Sequence, residues 1–389
     1  MLVPYLAALA APTIAKITQH AKITQHTLFH DGDDGIADYR IPALLNLEAA
    51  ADGVPGVLLA FAGTRVNPPH KTKDNDNAQI LVRRSYDGGA TFTAPMRVVG
   101  HQGANRSFGA DMMAPVWDGV RGTIVMPYQS GPDADGCNLR QAISRDRGVT
   151  WDPTPACLDA FLPGGAAPIA PTAASPWSPG PAGGIAWPRM ADDASQVDGR
   201  RLLVPVHRTF GDAYVLHSDD GGATYAASRN ATGGTTFAGW SECALAELSN
   251  RSVLLNCRSH DEAGPTGKGR GLAMSDDGGA TFGAFWWEAR QWGAECQASM
   301  AVAAGGGGQP PQLYFANPRV HAAHLRANMT VLRSGDDGAT WSVFANLWPS
   351  YSAYSAMAVL PPGNRLAVLY ERGDAGNHYR NITLALIDH

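Results

Sequence analysis

Three observations predict an all-β fold, a β-propeller of about six blades. An eight-residue pattern, Ser-x-Asp-x-Gly-x-Thr-aromatic, occurs five times: SYDGGATF from Ser85, SRDRGVTW from Ser144, SDDGGATY from Ser218, SDDGGATF from Ser275 and SGDDGATW from Ser334. Its serines are spaced by 59, 74, 57 and 59 residues. A unit of about 60 residues accommodates one four-stranded blade with long loops, so a chain of 389 holds about six. Between the copies run short apolar stretches such as ILVRRS, GTIVMPY, RLLVPVH, SVLLNC, QLYFAN and RLAVLYE. None reads as an amphipathic helix of three turns, and 44 glycines with 27 prolines supply the turns a β protein needs.

Each position of the repeat has a physical reason. Asp and Ser side chains bond backbone amides in a tight turn, and Gly takes positive φ at little cost. Thr and the aromatic residue then re-enter a strand, where β-branched and aromatic side chains pack well. Each copy is thus read as one hairpin, with Asp87, Asp146, Asp220, Asp277 and Asp336 as its staples. That removes five carboxylates from the catalytic candidates. Residues 27–389 are read as one domain. Residues 1–26, with the apolar start MLVPYLAALAAPTI and the duplicated AKITQH, are read as a signal peptide or a disordered lead-in, although a basic n-region is missing.

Composition excludes several partners. The net charge is -5 and the pI about 6.2, so no basic excess exists to neutralise nucleic acid or an anionic membrane. No later run reaches the roughly 20 apolar residues of a membrane span. The five cysteines show no metal-binding spacing; Cys137 and Cys157 bracket the second repeat and would pair in a secreted chain. Sequons at Asn105, Asn230, Asn250, Asn328 and Asn381 favour a secreted or lumenal location over the cytoplasm. His321 and His324 lack a third ligand, and DGDDG at 31–35 lacks the spacing of a calcium loop, so both are read as ordinary loops. FWWEARQW, from Phe285, is read either as packing between blades or as an aromatic platform for a sugar.

Catalysis must then come from residues that occur once. YRIPAL from Tyr39 precedes the first repeat, and later come SECALAELSNRSVLLNCRS, ECQASM, LYFANP, HLRANMTVLRS, YSAYSAM and LAVLYERG. In this order the chain resembles the exo-sialidases with Asp-box repeats, six-bladed propellers that hydrolyse terminal sialic acids. The resemblance runs from about residue 27 to the end. It implies that Arg40, Arg258 and Arg326 form a triad for the substrate carboxylate, with Glu371 steadying Arg40. It further implies Tyr354 as nucleophile, Glu242 as its activator and Asp74 as general acid/base, with Asp76 as the rival two residues away. Asp111 would reach the hydroxyl or N-acyl side of the sugar.

The chemistry fits these residue types. Sialic acid carries an ionised carboxylate on its anomeric carbon, and planar guanidinium groups bind carboxylates with paired hydrogen bonds. An Asp or Glu nucleophile would meet that carboxylate with like charge, whereas a tyrosine stays neutral until a base takes its proton. Two displacements retain the anomeric configuration, and the scheme requires no cofactor or metal. Trans-sialylation or a preference for the deaminated sugar Kdn uses the same residues, so both stay open. A non-catalytic glycan-binding propeller is the reading from another class. The partners implied are sialylated glycans, glycoproteins or glycolipids.

One local expectation concerns the hairpin ECALAELSNRSVLLNCR. A register in which paired numbers sum to 500 sets Glu242 opposite Arg258 and Cys243 opposite Cys257, and requires an odd-length turn or a bulge. A two-residue turn gives 501 and sends Arg258 to the other face.

Overall fold

The computed structural model describes residues 22–49, 53–65, 79–100, 110–130, 137–162, 177–188, 201–208, 212–230, 237–259, 269–305, 309–320, 325–361, 365–374 and 377–388. They form an all-β structure in which the only helical segments are three single-turn 3-10 pieces.

The strands form antiparallel meanders in chain order. Asp38–Leu47, Val57–Arg65, Gln79–Ser85 and Met96–Gly100 make the first sheet. The second contains Ala110–Met113, Thr123–Ser130, Leu139–Ser144 and Asp152–Cys157. The third contains Trp177–Pro179, Arg201–Arg208, Asp212–Ser218 and Ala226–Ala227, and the fourth Trp240–Glu247, Val253–Ser259, Arg270–Ser275 and Trp286–Glu288. A seven-stranded sheet follows, in which the 19-residue strand Ser342–Leu360 serves two meanders. Its first half pairs with Ala327–Ser334 and its second half with Arg365–Asp374. Lys22–His30 completes this sheet by pairing with Asn377–Asp388. Residues 22–26, grouped above with the lead-in, therefore belong to a strand.

The core lies between sheets, one apolar cluster to each neighbouring pair. Leu59, Phe61 and Val82 of the first sheet pack on Met113, Ile124 and Met126 of the second. The same pattern continues until Ala356, Leu369, Leu384 and Leu386 of the last meander pack on Tyr39, Leu58 and Ala60 of the first. The first and last described strands are thus joined by pairing, and the first sheet and last meander by packing.

Every repeat follows the third strand of its meander. In the first, Ser85 Oγ donates to Asp87 and accepts from the Gly89 amide at 2.8 Å, while Asp87 accepts from the Thr91 amide at 2.9 Å and hydroxyl at 2.6 Å. The other four copies make the same Ser–Asp and Asp–Thr bonds. Gly89 has φ +91°, and a Cβ there would stand 3.3 Å from Leu384 and Leu386, so the turn needs glycine for its conformation and for its seat on the neighbouring sheet.

Inner strands share a polarity that positions the site. Their C-terminal halves, with Leu45, Leu245 and Ala358, line a cavity of about 590 Å³. It contains none of the described candidate residues; Arg40, Glu242 and Tyr354 lie toward the opposite end of the strand segments that line it.

Candidate active site

A bulge interrupts several inner strands at that end. Register breaks fall between Arg40 and Ala43, Asp111 and Met113, Ser241 and Ala244, and Ser352 and Ser355. Ile41, Met112 and Glu242 within them have φ of 57°, 43° and 44°. A bulge adds one unpaired residue and re-aims the side chains beside it, which turns Arg40, Glu242 and Tyr354 out of simple alternation.

The hairpin over 240–259 shows how this works. Pairs from Ala244–Asn256 to Glu247–Val253 sum to 500, and Ser241–Arg258 beyond the bulge sums to 499. The turn at Ser249–Arg251 is of odd length, with Arg251 at φ 70°. Glu242 sits in the bulge, yet its carboxylate meets Arg258 Nη1 at 2.6 Å. Cys243 and Cys257 form a disulfide, as do Cys137 and Cys157, whereas Cys296 is free and buried.

Six of the candidate residues meet at one place. Tyr354, only 5% exposed, donates its hydroxyl proton to Glu242 in a short hydrogen bond. Arg258 Nη1 lies 3.5 Å from the same phenol oxygen, and the guanidinium groups of Arg40 and Arg326 lie 5.6 and 5.5 Å from the Tyr354 ring centre. Glu371, fully buried, accepts from Arg40 Nε at 2.7 Å, from the Ile41 amide at 2.9 Å and from the Tyr354 amide at 3.1 Å. One carboxylate therefore ties the Arg40 bulge to the Tyr354 strand.

The electrostatics follow from burial and these partners. Burial alone would raise Glu242, but Arg258, His207 and the Tyr354 hydroxyl outweigh it and hold the carboxyl down at about 2. Burial and the adjacent Glu242 charge push the Tyr354 phenol well above its usual value, against the pull of Arg258 and Arg326. The pair rests as neutral phenol and carboxylate. Arg258 and Arg326 stay charged despite burial, their affinity for the proton raised by acidic neighbours.

Two further residues complete the cluster. Glu295 Oε1 accepts from Arg258 Nη2 at 3.0 Å, and the Tyr379 ring lies 3.7 Å under the Arg40 guanidinium while its hydroxyl accepts from Arg326 Nη1 at 3.3 Å. ECQASM carried Glu295 into view as a motif, but nothing in the sequence marked Tyr379. Asp111 is elsewhere: it is fully buried and paired with Arg65 Nη2 at 2.5 Å, one sheet over from Arg40 across Gly63. Asp74, Asp76, His321 and His324 lie outside the described residues. The one described His/Cys/Asp/Glu cluster tight enough for an ion is Cys137, Cys157 and Asp159, and both its cysteines are in the disulfide.

Residues 56–367 match the BNR repeat-like domain family. The chain belongs to that family. This BNR repeat-like chain is also 27% identical over 394 aligned residues to a sialidase of Micromonospora viridifaciens, covering 93% of this chain. It spans about half, 54%, of that relative's length. Among solved structures, the intramolecular trans-sialidase of Ruminococcus gnavus superposes with a TM-score of 0.69 at 16% identity, covering 93% of this chain and 96% of that one. Trypanosoma rangeli sialidase with 2,3-difluorosialic acid, described as a covalent intermediate, gives 0.69 at 16%, covering 94% and 58%. At these identities the structural likeness concerns the fold. No described helix is long and apolar enough to cross a membrane.

Proposed function

We propose that the chain is a retaining exo-α-sialidase built as a single six-bladed propeller over residues 22–389, with sialylated glycans as substrates. The ring reading rests on six inter-sheet clusters that return from the last meander to the first. The observation that carries the activity is the Tyr354–Glu242 hydrogen bond set among Arg40, Arg258 and Arg326.

In this scheme the three guanidinium groups take the carboxylate on the anomeric carbon, which brings that carbon to the phenol oxygen. Arg258 also holds Glu242, so an arriving carboxylate shares its charge and loosens that hold. Glu242 then becomes a stronger base when substrate is present, and it accepts the Tyr354 proton as the C–O bond forms. Asp74 protonates the leaving oxygen and later deprotonates water, which attacks the same carbon and releases the sugar with retained configuration. Asp111, fully buried on Arg65, would hold Arg65 on the sugar's hydroxyl or N-acyl side. Transfer to another acceptor and a preference for Kdn remain variants of this chemistry. No metal or organic cofactor enters it.

The test is release of fluorophore from an α-sialoside and from its Kdn counterpart, combined with mass spectrometry after 2,3-difluorosialic acid. Wild type should cleave at least one substrate and carry the label on the Tyr354 peptide. Tyr354→Phe should lose about 10³-fold or more of the activity and take no label. Asp74→Ala should keep more activity on a substrate with a good leaving group. Equal rates for wild type and Tyr354→Phe would remove the proposed nucleophile.

A further inference from the structure

Tyr379 takes no part in the displacement at Tyr354, yet it touches two of the three arginines around that phenol. Its place follows from the last meander. The strand Asn377–Asp388 pairs Asn381 with Arg372 and Asn377 with Asp374, and the register shifts between these pairs. Tyr379 lies in that irregular stretch, where its amide donates to Asn377 Oδ1 at 2.9 Å. Such irregularities release side chains from plain alternation. The phenol, half-buried, packs against the apolar cluster that contains Ile41, Ala353 and Tyr354. The last meander packs on the first sheet, which carries Arg40, and on the meander whose strand Ala327–Ser334 follows Arg326. One side chain there can reach both.

The two contacts differ in kind. The centre of the Tyr379 ring lies 3.7 Å from Arg40 Cζ, and its hydroxyl accepts from Arg326 Nη1 at 3.3 Å. Glu371 holds Arg40 through Nε at 2.7 Å. A single hydrogen bond leaves a guanidinium plane able to tilt, and a ring against its face removes that tilt. The N–H donors lie in that plane, so fixing it fixes where they point. Arg326 is oriented by a neutral acceptor. A carboxylate in the place of the phenol would bind both arginines and cancel the charge that an anionic ligand needs.

We propose that Tyr379 is a positioning residue for the carboxylate site. It sets the planes of Arg40 and Arg326 so that both present donors to one carboxylate, and it thereby sharpens selection for a ligand carrying that group. It acts through the arginines and not on the reacting atoms. This role rests on the sialidase reading, in which the carboxylate is that of the sugar.

The test compares Tyr379→Phe, which keeps the ring and removes the hydroxyl, with Tyr379→Leu, which removes both contacts. Inhibition is measured with the 2,3-dehydro-2-deoxy derivative of the sugar that wild type releases, and with its methyl ester, which lacks the carboxylate charge. Wild type should bind the acid more tightly than the ester. That preference should fall about 3-fold in Tyr379→Phe and about 10- to 30-fold in Tyr379→Leu, as contacts of this size imply. KM for the fluorogenic sialoside should rise in parallel, while kcat stays within about 2-fold. A role in packing alone would weaken acid and ester alike; an unchanged preference in both variants overturns the proposal. So does a fall in kcat at unchanged KM in Tyr379→Phe, the variant that keeps the ring in its cluster should Tyr379→Leu fail to fold. Wild type that cleaves neither the sialoside nor its Kdn counterpart removes the sialidase reading and this role with it. Active wild type with unaffected variants removes the role of Tyr379 alone.

Discussion

The three arginines beside Tyr354 are held differently, and their freedom decides what each can do for a ligand. Arg258 spends Nη1 on Glu242 and Nη2 on Glu295, and Arg40 spends Nε on Glu371. Arg326 has no carboxylate partner among the described residues, and its side-chain bond runs to the Tyr379 hydroxyl at 3.3 Å. It therefore has the most donors to turn toward an incoming carboxylate. Arg326→Lys keeps the charge but loses the planar fork. Losing a charge-assisted hydrogen bond should lower kcat/KM about 10- to 100-fold, chiefly through KM. Arg258→Lys should instead lower kcat, because Glu242 loses the group that positions it. Steady-state kinetics on the fluorogenic sialoside separate the two, and a kcat loss with unchanged KM in Arg326→Lys would contradict this division of labour.

At the scale of elements, the repeated turn joins local chemistry to stability. Bonds from Thr91 and Thr340 hold Asp87 and Asp336 down at about 2, below the ordinary value of 3.8. A carboxyl that is more acidic when folded stabilises the fold fully above its unfolded value. That contribution shrinks as pH falls below about 4 and is lost as pH passes through 2. Thermal melts should show Tm falling steeply between pH 4 and 2, and Asp87→Asn with Asp336→Asn should flatten that part of the curve. A Tm slope unchanged by both substitutions would show that other carboxylates govern acid unfolding. The turn is readable from sequence because its bonds close within four residues. The grouping of Arg40, Glu242, Arg258, Arg326, Tyr354 and Glu371 was legible only through ordered motifs, since no local rule joins positions 331 residues apart such as Arg40 and Glu371. Glu295 and Tyr379 meet their arginines across 37 and 53 residues, in contacts that only the assembled sheets create. The hairpin register shows the same limit. Alternation left two registers open; the ladder near the turn takes the one that sums to 500, and the bulge at Glu242 then sets Ser241 across from Arg258 while the Glu242 carboxylate still reaches that guanidinium.

The whole molecule depends on how its two ends meet. Lys22–His30 forms the outer strand of the last meander, pairing from Lys22–Asp388 to His30–Asn381. Phe29 is buried against Tyr39 at 5.3 Å and lies under the Arg83 guanidinium, so this strand also touches the first sheet. It therefore covers an edge and bridges the junction between the last meander and the first, where Arg40 and Glu371 join across the same seam. A chain lacking residues 1–30 would leave Asn377–Asp388 with an unpaired row of backbone groups, the usual template for association between molecules. Losing Phe29 alone removes a buried aromatic worth about 3–5 kcal/mol by the usual cost of truncation to alanine. Phe29→Ala should lower Tm without changing the wild-type association state, because the edge is still covered. Removal of residues 1–30 should lower Tm further and bring concentration-dependent association, read by light scattering. If the truncated chain melts and associates like wild type, the strand is an appendage to the fold and the seam is held by side-chain packing alone.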